Sequence, residues 1–304
     1  MTSVKLRSVP GTDLRVSPIC LGTMNFGNPV AKPDAIALVH WALDHGINFI
    51  DTADIYEGYD RKLGTAGGVA EQILGEALVG RRDQAVIATK AGNPVSGPDS
   101  QADIGRAHLE RQLNRSLKFL GTDYVDFFEL HRPDGRTPLQ ESVTAMADFV
   151  RAGKVRHWGF SNFGADDIRQ MVDLCRQHGY PRPVVSQPHY SWLQRDPEKD
   201  HLPACRELQI SVTPYRVLEG GLLTGKYRHG QAPPAGSRMA EGVWLSSPDD
   251  TKFAQLEQFS REAEAAKLTP MQYAIQWVLN QPAIISCVVG IKRPEQLLDI
   301  LSLG

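Results

Sequence analysis

The amino-acid sequence predicts an α/β fold, a (β/α)8 barrel that occupies residues 1–304 as a single domain. Eight short apolar runs alternate with segments of helical periodicity, which is typical either of an open doubly wound sheet or of a closed barrel. An open sheet that binds a dinucleotide carries G-x-G-x-x-G after its first strand, but the first run here is followed by GTMNFGNP. The chain has no G-x-x-x-x-G-K-[ST] motif and no linker, so the barrel is favoured.

The eight predicted strands are apolar runs that are rich in β-branched and aromatic residues. Their residues do not alternate with polar ones, as is expected of parallel strands covered on both faces. The runs are VSPICLG (16–22), INFID (47–51), AVIATK (85–90), VDFFELH (125–131), HWGFS (157–161), VVSQP (184–188), ISVTPY (210–215) and IISCVVG (284–290).

The segments between these runs predict helices that pack on the sheet. Residues 143–150 and 168–175 carry apolar side chains at i, i+3, i+4 and i+7, and residues 109–120 carry a leucine stripe. Residues 4–16 hold two short extended runs around Pro-Gly-Thr-Asp, which predict a hairpin that covers one barrel end. The longest irregular stretch is 216–250, and a loop of this length is usually functional or disordered.

Composition and charge exclude several classes of protein. The 33 Lys and Arg residues against 35 Asp and Glu give a net charge of −2, so neither a nucleic-acid partner nor a membrane partner is predicted. The chain start has no signal-peptide core, and no window approaches about 18 uninterrupted apolar residues. The widely spaced Cys20, Cys175, Cys205 and Cys287 indicate buried thiols in a reducing compartment. A cytoplasmic location is therefore expected, and the sequence leaves an oligomeric partner undetermined.

Polar residues and glycine follow the predicted strands directly. In a (β/α)8 barrel the C-terminal ends of all strands meet at one mouth, where active sites lie. From the second strand to the eighth these positions are Asp51, Lys90, His131, Ser161–Asn162, Gln187, Tyr215 and Gly290. One such residue is ordinary, but the whole series predicts a site at the mouth.

The chain resembles the aldo-keto reductase family in a series of motifs at these strand ends. In chain order they are GINFIDTADIY, VIATKAG, ELHRPD, GFSN, SQPHYSWL, TPYRVLEGGLLTGKY and VVGIKRPEQL. The resemblance spans roughly residues 4–301 and is closest to the bacterial and potassium-channel β-subunit-like branches. It implies an NADP(H)-dependent carbonyl reductase on a barrel, with a catalytic tetrad at Asp51, Tyr56, Lys90 and His131.

The chemistry of these four residues fits carbonyl reduction, which needs a hydride on carbon and a proton on oxygen. A phenol has a pKa of about 10, and the nearby Lys90 is expected to lower the pKa of Tyr56. Asp51 would keep Lys90 charged and oriented. Tyr56 would then act as the general acid in reduction and as the base in oxidation. His131 would donate a hydrogen bond to the carbonyl oxygen.

The resemblance also implies a site for NADPH or NADP+. Ser161, Asn162 and Gln187 would hold the nicotinamide carboxamide, and Tyr215 would stack on its ring. The glycines of 219–226 let backbone N–H groups approach the pyrophosphate. The cations that follow the eighth strand match the 2′-phosphate position, and Gln296 matches an adenosine contact. The predicted cofactor-binding residues are Gly22, Thr23, Met24, Asp51, Ser161, Asn162, Gln187, Tyr215, Arg216, Leu218, Gly220, Gly221, Leu222, Lys226, Gly290, Lys292, Arg293 and Gln296.

The predicted substrate is a small-molecule carbonyl compound in an apolar pocket. The residues expected to line this pocket are Met24, Phe26, Tyr56, His131, Trp192 and Trp244. Two departures from the family pattern change the expected cofactor contacts: Arg216 follows the stacking tyrosine, and Ile300 stands where an Asn near adenine is usual.

Two other functions are alternatives to the reductase. A cofactor-binding sensory or regulatory subunit with slow or vestigial turnover would share these motifs, although the complete tetrad favours the enzyme. A metal-dependent hydrolase needs clustered His and carboxylate ligands. The strand ends supply one His and one carboxylate, so no metal is predicted.

Overall fold

The computed structural model describes residues 4–59, 61, 65–95, 101–242 and 245–301. A short antiparallel hairpin begins the described chain, with β1 at Arg7–Ser8 and β2 at Arg15–Val16. Its buried Val9, Leu14 and Val16 share one apolar cluster with residues from the N-terminal ends of the barrel strands. The predicted hairpin that covers one barrel end is therefore confirmed.

Eight parallel strands, β3 to β10, follow in the predicted order. They are Ile19–Gly22, Phe49–Asp51, Val86–Ala91, Val125–Leu130, Val155–Ser161, Val185–Gln187, Ser211–Val212 and Cys287–Val289. Each strand from β3 to β8 pairs with the next along the chain, and β10 pairs with β3.

The sheet closes between its two edge strands. The backbone N–H of Ile285 donates to the carbonyl of Val212 at 3.0 Å, and that of Val288 donates to Pro214 at 3.0 Å. These bonds join the segment around β9 to the segment around β10. The prediction of a (β/α)8 barrel is confirmed.

Helices surround the strands and bury the predicted apolar stripes. Their bounds are α1 Lys32–Asp44, α2 Val69–Ala77, α3 Arg106–Leu120, α4 Leu139–Arg151, α5 Ala165–His178, α6 His201–Glu207, α7 Asp250–Ala265, α8 Pro270–Leu279 and α9 Glu295–Leu301. On α4 the buried face includes Val143 and Met146, and on α5 it includes Ile168 and Met171. Helix α5 ends at Gly179, whose φ of 65° is a conformation that favours glycine.

All four cysteines are buried, and each has a free thiol. Among the described residues no three His, Cys, Asp or Glu side chains are grouped so that they could hold a metal ion. Within the same part of the chain, no helix has the length and apolar character that crossing a membrane requires.

Candidate active site

A cavity of about 1120 Å³ opens at the C-terminal mouth of the barrel. Most residues that the sequence predicts for the site line it. These are Gly22, Met24, Asp51, Tyr56, His131, Ser161, Asn162, Gln187, Tyr215, Arg216, Leu218, Gly220, Gly221, Lys226, Gly290, Lys292, Arg293 and Gln296. The barrel topology thus brings together residues that are up to 274 positions apart, from Gly22 to Gln296.

A buried ion pair lies at the floor of this cavity. Lys90 of β5 donates from Nζ to Oδ1 of Asp51, the last residue of the neighbouring β4, at 2.5 Å. It also donates to the carbonyl of Thr52 at 2.8 Å, and Gln187 Nε2 donates to Asp51 Oδ1 at 2.8 Å. Burial opposes the charge on Lys90, but the combined attractions of Asp51, Tyr56 and Glu129 outweigh it and the pKa of Lys90 is raised. Lys90 is therefore a fixed cation at neutral pH.

Tyr56 lies in the loop after β4, between this cation and the cavity. Lys90 Nζ is 5.2 Å from the centre of the Tyr56 ring, and the His131 ring lies 6.0 Å away in an edge-on arrangement. Burial raises the pKa of Tyr56 above its ordinary value, and the opposing effect of Lys90 is smaller. This corrects the expectation that Lys90 sets a lowered pKa. The phenol is therefore protonated at neutral pH.

His131 follows β6 and faces the cavity as a neutral ring. Burial lowers its pKa well below the usual value, and the cations Lys90, Arg61 and Arg132 lower it further. Its Nδ1 has no hydrogen-bond partner among the described residues. A neutral imidazole keeps one N–H, so His131 can donate a hydrogen bond to an oxygen atom in the cavity.

A polar network occupies the strand ends opposite Tyr56. Ser161 Oγ donates to the carbonyl of Gln187 at 2.6 Å, and Asn162 Nδ2 donates to Ser161 Oγ at 2.9 Å. The hydroxyl of Tyr215 donates to Asn162 Oδ1 at 2.9 Å. His189 stacks on the Tyr215 ring with the centroids 5.4 Å apart. These bonds fix the amide groups at the cavity wall.

The segment after β9 forms a glycine-rich turn at the cavity edge. It spans Glu219–Thr224, and Gly220 and Gly221 have φ angles of 64° and 101°. Residues with a side chain rarely adopt these φ angles, so the backbone of the turn needs glycine at both positions. Gly220, Gly221 and Thr224 of the turn line the cavity together with Lys226.

Lys292 and Arg293 line the other end of the cavity, between β10 and α9. Lys292 Nζ contacts both carboxylate oxygens of Glu241 at 3.1 Å and the carbonyl of Gly236 at 3.0 Å. Gln296 accepts hydrogen bonds from the backbone N–H groups of Lys292 and Arg293 at 2.8 and 3.1 Å. Gln296 therefore fixes the backbone of Lys292 and Arg293. This role is distinct from the adenosine contact that the sequence predicts for it.

Two predicted cofactor-binding side chains lie away from the cavity. Thr23 is fully buried, and its hydroxyl donates to the carbonyl of Asp51 at 3.0 Å. Leu222 packs with Leu256 and Phe259 on the helix side of the turn. In both cases the backbone turns the side chain toward protein, although the neighbouring residues face the cavity.

The predicted aromatic pocket needs a similar correction. Phe26 is fully buried in the main apolar core. Trp192 packs edge-on against Phe259 with the centroids 5.3 Å apart, and its Nε1 donates to Glu262 at 2.9 Å. Helix α7 covers Trp192, which the sequence pattern does not indicate. Trp244 lies outside the described residues.

The long loop 216–250 supplies cavity residues that the sequence does not predict. Arg238 and Glu241 line the cavity, and Arg238 donates to the hydroxyl of Tyr59 at 2.9 Å. Tyr59 belongs to the loop after β4, so this contact joins two loops across the cavity. Arg132 also lines the cavity. Its position directly after His131, in HRPD, is the feature of the sequence that could have identified it.

Comparisons with known proteins cover the whole barrel. Residues 18–304 match the Aldo/keto reductase family. The chain is similar to the uncharacterized oxidoreductase YrpG of Bacillus subtilis, with 35% identity over 297 residues that cover 95% of this chain and 88% of that protein. It is also similar to a putative voltage-gated potassium channel subunit beta of Schizosaccharomyces pombe, 33% identical over 311 residues (98% and 87% covered). Protein tas of Escherichia coli is 31% identical over 328 residues (95% and 90% covered). The chain therefore belongs to the aldo/keto reductase family.

Proposed function

We propose that this protein is an oxidoreductase that reversibly reduces aldehydes and ketones to alcohols with NADPH. The observation that carries the proposal is the charged Lys90, paired with Asp51 directly behind Tyr56 and His131 at one cavity. Similarity to YrpG, whose name describes an oxidoreductase, supports the same class of reaction.

Tyr56 supplies the proton in this proposal. Its raised pKa keeps the phenol protonated at neutral pH, so it can donate to the carbonyl oxygen as a general acid. Lys90 stabilises the phenolate that remains, and Asp51 keeps Lys90 charged. His131 donates a hydrogen bond that orients the carbonyl and stabilises the charge developing on its oxygen. The bound nicotinamide would supply the hydride, and alcohol oxidation uses the same groups in reverse.

The residues at the cavity fit a nicotinamide dinucleotide. Ser161, Asn162 and Gln187 offer hydroxyl and amide groups near Tyr56, and Tyr215 offers an aromatic face. Gly220 and Gly221 of the turn 219–224 line the cavity without side chains, which would let backbone approach the pyrophosphate. A cavity of about 1120 Å³ is at the upper end of ligand sites, which suits a cofactor together with a small substrate.

The cations after β10 support NADPH as the preferred cofactor. Lys292 and Arg293 line the cavity and come from the segment after the last strand. A 2′-phosphate bound beside them would meet two positive charges. Lys292 would exchange its contact with Glu241 for the phosphate.

We also propose that the reaction takes place in the cytoplasm. The four buried cysteines all carry free thiols, as is typical of a reducing compartment. The proposed partner is a small carbonyl compound, bound beside Met24, Ile55 and Tyr59.

The first experiment mixes the purified protein with NADPH and a reactive aromatic aldehyde and follows NADPH oxidation. We expect turnover that falls by roughly 10²–10⁴-fold in Tyr56→Phe, because the general acid is lost while the ring remains. Tyr124→Phe is the matched control, since Tyr124 lies before β6 and packs against Arg82 instead of the cavity. Full activity in Tyr56→Phe would contradict the proposed acid.

A second candidate function is a cofactor-binding regulatory subunit with slow turnover. Similarity to proteins named as potassium channel β subunits favours it. Tight NADPH binding without turnover on a broad panel of aldehydes would support this candidate over the reductase. Failure to bind either nucleotide would contradict both.

A further inference from the structure

Glu129 is a buried acid beneath the proposed active site that the tetrad does not use. It lies on β6 two residues before His131, in register with Lys90 of β5 on one side and Gly159 of β7 on the other. Its side chain is fully buried, and neither carboxyl oxygen has a hydrogen-bond partner among the described residues. A buried polar group without a partner is costly, so its presence here needs an explanation.

The groups around Glu129 come from every neighbouring strand. Lys90 of β5 is the cation that acts on Glu129, and Asp51 of β4 is already paired with that cation. Cys20 of β3 and Tyr56 of the loop after β4 both experience the charge of Glu129. On the other side, Gly159 presents no side chain. Glu129 and Asp51 are therefore two acids that share one lysine.

Burial determines the charge of Glu129. It raises the pKa of Glu129 to about 8, where the attraction of Lys90 opposes the rise and the charge of Asp51 adds to it. Asp51, by contrast, accepts direct bonds from Lys90 and Gln187. At neutral pH Glu129 is therefore a neutral acid beside the cation Lys90.

We propose that Glu129 is a positioning residue that acts through Lys90: it is neutral while Tyr56 donates its proton, and its ionisation in alkaline solution holds Tyr56 protonated. This inference rests on the proposed reductase function. The neutral acid leaves the positive charge of Lys90 available to the phenolate of Tyr56. The ionised acid adds a negative charge beneath Lys90, which makes that phenolate harder to form. Because reduction needs the phenol of Tyr56 and alcohol oxidation needs its phenolate, the rate of reduction would then persist to higher pH, and the rate of oxidation would rise only at higher pH.

The kinetic test compares Glu129→Gln with the wild type, because Gln has the shape of the neutral acid but cannot ionise. We expect the rate of aldehyde reduction at pH 6 to stay within about twofold of the wild-type rate, since the side chain at position 129 is uncharged in both proteins at that pH. The pH at which the rate of alcohol oxidation with NADP+ rises should move lower by about half a unit or more. Glu129→Asp, which can ionise again, should return this pH toward the wild-type value. Glu110→Gln on the exposed side of α3 is the control and should change neither profile.

Infrared spectroscopy of the protein alone tests the charge of Glu129 without turnover. The wild-type minus Glu129→Gln spectrum should contain a protonated carboxyl band at pH 6 that disappears between about pH 7 and 9. The subtraction removes the contributions of Asp54 and Glu71, two other buried acids with raised pKa values. Absence of the band at pH 6, or an oxidation profile that the substitution does not move, would overturn the inference. If the band appears but no carbonyl is reduced, the proposed function fails and the neutral acid stands.

Discussion

Lys90 determines the electrostatics of the site because it is a fully buried cation with one charged partner. A buried ammonium is tolerated only when its charge and its N–H groups are satisfied, and here Asp51 and the carbonyl of Thr52 do this. The same cation is 5.2 Å from the Tyr56 ring, so the residue that stabilises the strand ends also acts on the phenol.

Replacing Lys90 with Met should destabilise the protein strongly. The substitution leaves Asp51 buried without its partner, which typically costs about 3–5 kcal/mol. Urea denaturation at pH 7 measures the change. Lys32→Met is the matched control, because Lys32 pairs with Glu76 at 2.5 Å but both side chains are 52% exposed, so its loss should cost less than about 1 kcal/mol. If Lys90→Met lowered the free energy of unfolding by no more than Lys32→Met does, the expected cost of leaving Asp51 without its partner would be contradicted.

Tyr56 illustrates how two opposing effects set one pKa. Lys90 favours the phenolate, while removal from water favours the neutral phenol and is the larger effect. A protonated tyrosine suits reduction, since the group must give up a proton. The direction of the pKa shift thus agrees with the direction of the proposed reaction.

At the scale of elements, close backbone packing shapes the barrel around Glu129. A Cβ atom added to Gly159 of β7 would lie 2.3 Å from the carbonyl oxygen of Val185 in β8. A side chain at this position would clash with the backbone of β8, so Glu129 has no side-chain neighbour from its register partner in β7. Gly159 is therefore needed for the packing of β7 on β8, and the absence of a side chain beside Glu129 is a consequence of that packing.

Gly159→Ala should destabilise the barrel by about 1–3 kcal/mol or more, because the clash is with backbone that cannot move freely. Thermal and urea unfolding measure the change. Gly164→Ala is the control, since the nearest atom to an added Cβ there is Asp167 Oδ2 at 3.8 Å, and its effect should be about 1 kcal/mol or less. A Gly159→Ala protein as stable as the wild type would contradict the close packing of β7 and β8.

The loop that holds His131 is fixed by one carboxylate. Asp134 accepts hydrogen bonds from the backbone N–H groups of Ile104, Arg136 and Thr137 at 3.2, 3.0 and 2.9 Å. Burial alone would raise the pKa of Asp134, but these bonds and that of the Thr137 hydroxyl lower it. Because Ile104 belongs to the preceding loop, Asp134 ties the loops after β5 and β6 together beside the cavity.

At the scale of the whole molecule, the cavity is built from both ends of the described chain and from its longest loop. Gly22 ends β3, Lys292 follows β10, and the loop residue Glu241 contacts Lys292. The contact of Arg238 with Tyr59 continues this arrangement across the mouth. Closure of the barrel therefore places the loop over the proposed cofactor site.

The double substitution Lys292→Ala and Arg293→Ala should separate the two nucleotides. We expect NADPH affinity to fall by about 10–150-fold, the effect of losing charged hydrogen bonds, while NADH affinity stays unchanged. Fluorescence titration with each nucleotide measures both values. Arg261→Ala on the exposed face of α7 is the control for a change in charge alone. An equal loss for both nucleotides would mean that these cations bind a group that NADPH and NADH share.

The sequence by itself was sufficient to predict the strand order, the covering hairpin and most of the residues at the mouth. Apolar runs and helical periodicity are local properties, and the parallel topology then sends every strand end to one face. Asp51, Lys90 and His131 could thus be assigned to one site although they lie on different strands.

Only the tertiary structure decided the direction of individual side chains and the balance of charge. Phe26 and Trp192 read as pocket aromatics, but packing partners far along the chain bury the first and cover the second. The rise in the pKa of Tyr56 and the neutral Glu129 follow from burial, which no short stretch of sequence records. A strand buried on both faces lacks the alternation that would show which residues face the interior, so VDFFELH could not reveal an acid beneath the lysine.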